Sequence, residues 1–254
     1  MPDFRLFSAT TALINVDMQR CFVEGSPLAS PEGPALVPKI NRLIRTCRST
    51  GALVVHTRVW MAKDGSNLGV MAELVPPFIV DLYTEGSPAA ELHPALDVAL
   101  DDLIVNKTRY GAFHGTDLAP QLRRRGIDTV IISGIATNIC CETTAREAAQ
   151  HDFRVVFLSD GTATKEMNGV AADELQLATL ASLGMVFAQI STIDETEGKL
   201  RATSLGASAA LSTTAALRVR RLGLCSGSVG LGLGGVVSSG TSSGRPGPRV
   251  GGAR

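Results

Sequence analysis

The chain has 254 residues, 44% of them hydrophobic, which is enough for one sizeable α/β domain. Its formal charge is zero, but residues 201–254 hold seven Arg and no Asp, Glu or Lys, so the rest carries 17 basic against 24 acidic side chains. A mildly acidic body gives no reason to expect a nucleic-acid partner. No apolar stretch reaches the ~18 residues that a membrane span needs.

The spacing predicts a short apolar strand over Ala12–Val16 that ends in Asp17. In an open parallel sheet, ligands bind beyond the carboxyl ends of the strands, so Asp17 is a candidate site residue. Ser26–Pro34 reads as loop. Leu36–Ser49 places Leu36, Ile40, Leu43, Ile44 and Cys47 at helical spacing, with Gly51 as the stop. A second strand is expected over Ala52–Val59, with His56 as a core or strand-end histidine and Trp60 just beyond. Residues 61–90 read as a long, loop-rich insertion of the kind that forms lids and binding segments. Ala95–Leu100 reads as a short helical turn.

A third strand, Leu103–Asn106, is closed by Lys107, and Arg109, Tyr110 and Phe113 follow on a loop. Thr116–Arg125 reads as a helix stopped by Gly126. Thr129–Ile132 is an apolar run that reads as a strand buried on both faces, and a helix over Cys140–Gln150 follows a short turn. Cys140 thus falls where a strand gives way to a helix. Free N–H groups and the helix dipole at such a place favour a thiolate and can hold an oxyanion. Further elements are a strand over Val155–Leu158, a helix over Asn168–Leu183, a strand over Met185–Ile190 and a turn or helix over Ile193–Leu200.

This β-α alternation predicts a parallel sheet with helices on both faces. No GxGxxG follows the first strand, so no nucleotide cofactor is expected. The five cysteines are odd in number and lack CxxC spacing, and no basic, apolar leader opens the chain. Free thiols in the cytoplasm are therefore the expectation. From Arg201 onward Gly, Ser, Ala and Arg dominate, and residues 201–254 read as a disordered tail beside a domain of residues 1–200.

Three separated pieces carry a resemblance. They are Val16-Asp17-Met18-Gln19 with Phe22, Asn106 through Phe113, and Gly134-Ile135-Ala136-Thr137-Asn138-Ile139-Cys140 followed by ETTAREA. With Asp160-Gly161 and Ala163-Thr164, their order and spacing resemble the isochorismatase-like cysteine hydrolases over about residues 8–198. The resemblance implies a Rossmann-like three-layer α/β/α fold with six parallel strands in the order 3-2-1-4-5-6. It implies a catalytic triad of Asp17, Lys107 and Cys140, a cis peptide at Ile135–Ala136, and an oxyanion hole from the N–H groups of Ala136 and Cys140. Cys140, not Cys141, is the expected nucleophile, because the motif places it directly after Thr-x-x.

The expected activity is hydrolysis of an amide, carbamoyl or ureido C–N bond in a small molecule through a thioester. The readings kept beside it are an isochorismate-type vinyl-ether hydrolase and a non-catalytic binding protein. Phe22, Trp60, Arg109, Tyr110, Phe113 and Thr137 are the expected pocket residues. HTRVWMAKDGSN, at the second strand, lacks the Asp-x-His metal pattern of the nicotinamidase branch, so neither a metal nor nicotinamidase activity is expected. Members of the family are commonly dimers or tetramers, and the same is expected here.

Overall fold

The computed structural model describes residues 3–204; the stretch from 205 onward, with most of the expected tail, lies outside the described residues. Six parallel strands form one sheet in the order β3-β2-β1-β4-β5-β6. In chain order the main elements are β1 (Thr11–Val16), α1 (Gly33–Thr50), β2 (Leu53–Val59), β3 (Leu103–Lys107), α2 (Leu118–Arg124) and β4 (Thr129–Ile135). They continue with α3 (Glu142–Gln150), β5 (Arg154–Ala163), α4 (Ala172–Val186), β6 (Gln189–Ser191) and a helix, α5, over residues 193–204.

Every residue of β1 and of β4 is buried, as continuous apolar runs between two helical layers must be. Alternate side chains serve opposite faces. Ala12, Ile14, Val130 and Ile132 pack with Leu118 and Leu122 of α2, Ala145 and Ala148 of α3 and Leu183 of α4. Leu13, Ile131 and Val156 pack on the other face with Leu36, Ile40, Leu43 and Ile44 of α1 and with Ile193 and Leu200 of α5. α1 ends at Gly51, whose φ of 87° is left-handed. The Gly51 N–H donates to the Arg48 carbonyl and the Ala52 N–H to the Cys47 carbonyl, the paired bonds of a Schellman cap.

His56 is a core histidine. A buried polar row runs across four neighbouring segments: the Ser133 hydroxyl donates to Asn15 Oδ1 at 2.6 Å, Asn15 Nδ2 lies 3.4 Å from His56 Nδ1, and His56 Nε2 lies 3.1 Å from Asp102 Oδ2. Arg48 Nη2 closes the row on Asp102 at 2.5 Å. Burial alone would raise the Asp102 pKa, but the hydrogen bonds from His56 and Arg48 hold it down at about 2.

Several boundaries differ from the sequence reading. The expected strand over Met185–Ile190 is a strand only over Gln189–Ser191, because α4 continues to Val186. Met185 and Val186 are 81% and 74% exposed, so their apolarity does not mark a buried strand. A short apolar run fits a helix end as well as a strand. β5 runs to Ala163 instead of Leu158, past an irregularity in its pairing with β4. α5 continues beyond Leu200: Arg201 bonds Thr46 and Glu197, and the Thr203 hydroxyl donates to the Leu6 carbonyl. The composition shift at Arg201 is therefore not a helix end.

The insertion is closed at its neck by two bonds, Met61 N–H to the Tyr83 carbonyl and Glu85 N–H to the Met61 carbonyl. Between them, short helical turns at Met71–Leu74 and Pro77–Val80 pack on Val59 and Phe22.

Candidate active site

The sheet register brings three distant residues together. Val16 pairs with Gly134, and Val59 with Lys107, so the carboxyl ends of β1, β2, β3 and β4 meet at one edge. Asp17 follows β1 with φ 50°, a left-handed conformation that Asp tolerates better than most side chains. Thr57 fixes it twice: the Asp17 N–H donates to the Thr57 hydroxyl at 3.2 Å, and that hydroxyl donates to Asp17 Oδ1 at 2.6 Å. Gly134 is required where β4 passes β1, because a side-chain Cβ there would sit 2.0 Å from the Val16 carbonyl oxygen.

Lys107 is wholly buried; its ammonium forms an ion pair with Asp17 Oδ2 at 2.8 Å and donates to the Tyr110 carbonyl at 2.9 Å and the Arg109 carbonyl at 3.0 Å. Burial alone would lower its pKa; the Asp17 carboxylate outweighs that and holds the ammonium above its ordinary value. Each charge is tolerable in the interior because the other is present.

Cys140 lies in a π-helical turn, Thr137–Cys141, that opens α3. The Cys141 N–H reaches back to the Ala136 carbonyl, widening the turn just after the cis Ile135–Ala136 peptide. Both Asp17 and Lys107 are within hydrogen-bonding reach of the Cys140 thiol. The helix start and the Lys107 charge favour the thiolate, and burial opposes them. Burial is the dominant influence and pushes the Cys140 pKa up to about 12; the Lys107 charge opposes it and the Asp17 charge adds to it. Burial thus favours the protonated thiol, beside the Asp17 carboxylate. Cys141 is also raised by burial, but its sulfur faces the Ser133 carbonyl at 3.9 Å within the core.

One helix ties these pieces together. Thr144 of α3 donates its hydroxyl to the Cys140 carbonyl at 2.7 Å and accepts the Ala112 N–H at 3.2 Å. Glu147 Oε2 accepts the Phe113 and His114 N–H groups at 2.9 and 3.1 Å. Gly111 lies so close to that carboxylate that a Cβ would fall 2.1 Å from it. The loop whose carbonyls hold Lys107 is thus pinned to the helix that carries Cys140.

Cys140 and Ala136 open onto a cavity of about 170 Å³. Of the expected pocket residues, Phe22, Arg109 and Tyr110 line it. Trp60, Phe113 and Thr137 do not: Trp60 stacks under the Arg58 guanidinium, Phe113 packs on Phe153 and His151, and Thr137 is fully buried. Residues that sequence reasoning missed, Met71, Val75 and Ile79, complete the wall. Their i, i+4, i+8 spacing was a usable signal, obscured by Pro76-Pro77. Gln19 was missed as well: its buried amide bonds both the N–H and the carbonyl of Val59, and the Ala90 carbonyl, and so fastens the insertion's far side to β2.

An acidic and a basic group buried beside a cysteine, at the carboxyl edge of a six-stranded parallel sheet, fit an α/β enzyme of the hydrolase kind. The comparisons specify it further: residues 11–195 match the isochorismatase domain, and the chain belongs to the isochorismatase family. It is 34% identical over 201 residues to Nicotinamidase 3 of Arabidopsis thaliana, covering 78% of this chain and 91% of that one. It is 31% identical over 156 residues to the maleamate amidohydrolase of Pseudomonas putida, covering 61% of this chain and 72% of that one. A cysteine hydrolase from Pseudomonas syringae pv. phaseolicola superposes with a TM-score of 0.77 at 31% identity, over 79% of this chain and 97% of that one. The pyrazinamidase of Pyrococcus horikoshii, solved in complex with zinc, superposes with a TM-score of 0.62 at 33% identity, over 72% of this chain and 99% of that one. Among the described residues here, no three His, Cys, Asp or Glu side chains are grouped to hold a metal ion, and His56 is committed to Asp102 and Asn15. The donor set does not fit a metal.

Proposed function

We propose that this chain is an amidohydrolase that cleaves the C–N bond of a small linear amide, carbamoyl or ureido compound through a thioester on Cys140. One observation carries the reading: Asp17, Lys107 and Cys140 converge in the interior, and Cys140 lines the cavity from which a small molecule would reach it. The amidohydrolase and cysteine hydrolase named among its relatives support the same chemistry.

Asp17 takes the thiol proton as the sulfur attacks the carbonyl carbon. Lys107, kept cationic, stabilises the carboxylate beforehand and the developing negative charge afterwards. The N–H groups of Ala136 and Cys140 hold the tetrahedral oxyanion. The C–N bond then breaks as Asp17 returns its proton to the nitrogen, releasing ammonia or an amine. Water enters, gives a proton to Asp17 and adds to the thioester; the C–S bond breaks and the sulfur recovers that proton. The balance is one amide and one water to one acid and one amine.

No described helix is long and apolar enough to cross a membrane. We place the enzyme in the cytoplasm as a homodimer or homotetramer; the exposed Leu177, Met185 and Val186 of α4 support a subunit contact, which sedimentation would test. The test of the activity is ammonia release from small amides and ureido acids by wild type, Cys140→Ala and Cys141→Ala. Turnover lost only with Cys140→Ala supports the mechanism. Full activity in Cys140→Ala sinks it.

A further inference from the structure

The wall of the cavity specifies what kind of amide fits. Beyond Cys140, it is built from Leu28, Met71, Val75, Ile79, Ile139 and Met167, with the Phe22 and Tyr83 rings stacked at 6.3 Å. Among the described residues, no carboxylate lines it. Arg109 and Lys165 border it, and part of each cationic end is taken up by backbone: Arg109 Nη1 donates to the Thr108 carbonyl at 2.6 Å and the Asn67 carbonyl at 3.0 Å, and Lys165 Nζ donates to the Pro27 carbonyl. The surface offered to the acyl part of a substrate is therefore almost wholly apolar.

We propose that the substrate is an uncharged amide with a compact hydrophobic acyl group, branched aliphatic or aromatic, and that the wall formed by Met71, Val75 and Ile79 selects it against amides bearing a carboxylate. This rests on the amidohydrolase function proposed above. A carboxylate entering such a site loses its water without a matching set of free donors. An added methylene gains burial and favours the transition state about ten- to 200-fold. Arg109 retains further N–H groups, so a carboxylate-bearing substrate is the competing outcome.

The experiment measures kcat/KM by ammonia release for 3-methylbutanamide, benzamide, nicotinamide and succinamate, in wild type and in Val75→Thr. The two apolar amides should exceed succinamate by about tenfold or more. Val75→Thr, nearly isosteric but polar, should lower that ratio severalfold. The ratio is taken within one preparation, so partial misfolding cancels. Succinamate equal to or above the apolar amides overturns the proposal while leaving the amidohydrolase reading intact. If no amide releases ammonia, it is the amidohydrolase reading that fails. The cavity is then read by protection of Cys140 from iodoacetamide, followed by peptide mass mapping. Protection by 3-methylbutanamide and not by succinamate sustains the apolar site. Protection by succinamate, or by neither, overturns it.

Discussion

Replacing Lys107 with Met would leave the Asp17 carboxylate in the interior without its cation, and the Arg109 and Tyr110 carbonyls without their donor. Breaking a buried ion pair from one side costs about 3–5 kcal/mol. For a folded unit of this size, 1 kcal/mol corresponds to roughly 2–4 °C in Tm, so the expected loss is roughly 6–20 °C. Adding Asp17→Asn should restore part of that loss. The amide keeps a polar group for Thr57 and tolerates the left-handed backbone at residue 17, and no unpaired carboxylate remains. The assay is thermal unfolding by circular dichroism for wild type, both single variants and the double variant, as a double-mutant cycle. The coupling should be on the order of 2 kcal/mol, with the double variant more stable than Lys107→Met and still inactive. A double variant whose Tm losses are simply additive would refute the claim that the two charges hold each other in place.

Other consequences are measurable. Burial keeps the Cys140 pKa at about 12, so its alkylation by iodoacetamide in the free protein should rise steadily from pH 7 to pH 10; a plateau already reached by pH 8 would contradict a protonated resting thiol. Gly51→Ala meets no steric neighbour, so its cost is conformational, roughly 1 kcal/mol, seen as a Tm lower by roughly 2–4 °C with amidase turnover unchanged. Asp102 has a folded pKa of about 2, below its ordinary value, so its contribution to stability is complete above the unfolded pKa and is lost as pH falls through about 2. Urea midpoints of wild type and Asp102→Asn should therefore differ most near pH 7 and converge toward pH 2. A gap independent of pH would show that the Asp102 charge is not what stabilises the row.

The sheet was legible because its strands are apolar runs, two of which close on residues that such runs do not normally admit, Asp17 and Lys107; β4 instead continues through Ser133-Gly134, where the apolar run breaks, to Ile135. Periodicity gave the alternation, and a family resemblance supplied the strand order that parallel pairing produces. The failures have physical causes. Met185 and Val186 are apolar on an exposed helix end, where local hydrophobicity carries no burial signal. Phe113 looked like a pocket residue, but the N–H bonds its loop donates to Glu147 turn it toward α3 and into the core. The protonation of Cys140 could not be read from its place at a helix start, because burial outweighs the nearby cation, and burial belongs to the assembled fold.

The fastening of the Lys107 loop to α3 has a mechanical consequence. Sulfur and ammonium come from opposite sides of the sheet's centre, and Thr144 and Glu147 brace the helix that carries one against the loop that holds the other. The lining from residues 71–79 hangs on other anchors, the neck at Met61 and the Gln19 amide, and meets the Lys107 loop through Arg109 Nη1 on the Asn67 carbonyl. Remodelling that lining beyond this one tie changes the fit of the acyl chain while leaving the bonds around Lys107 and Cys140 in place.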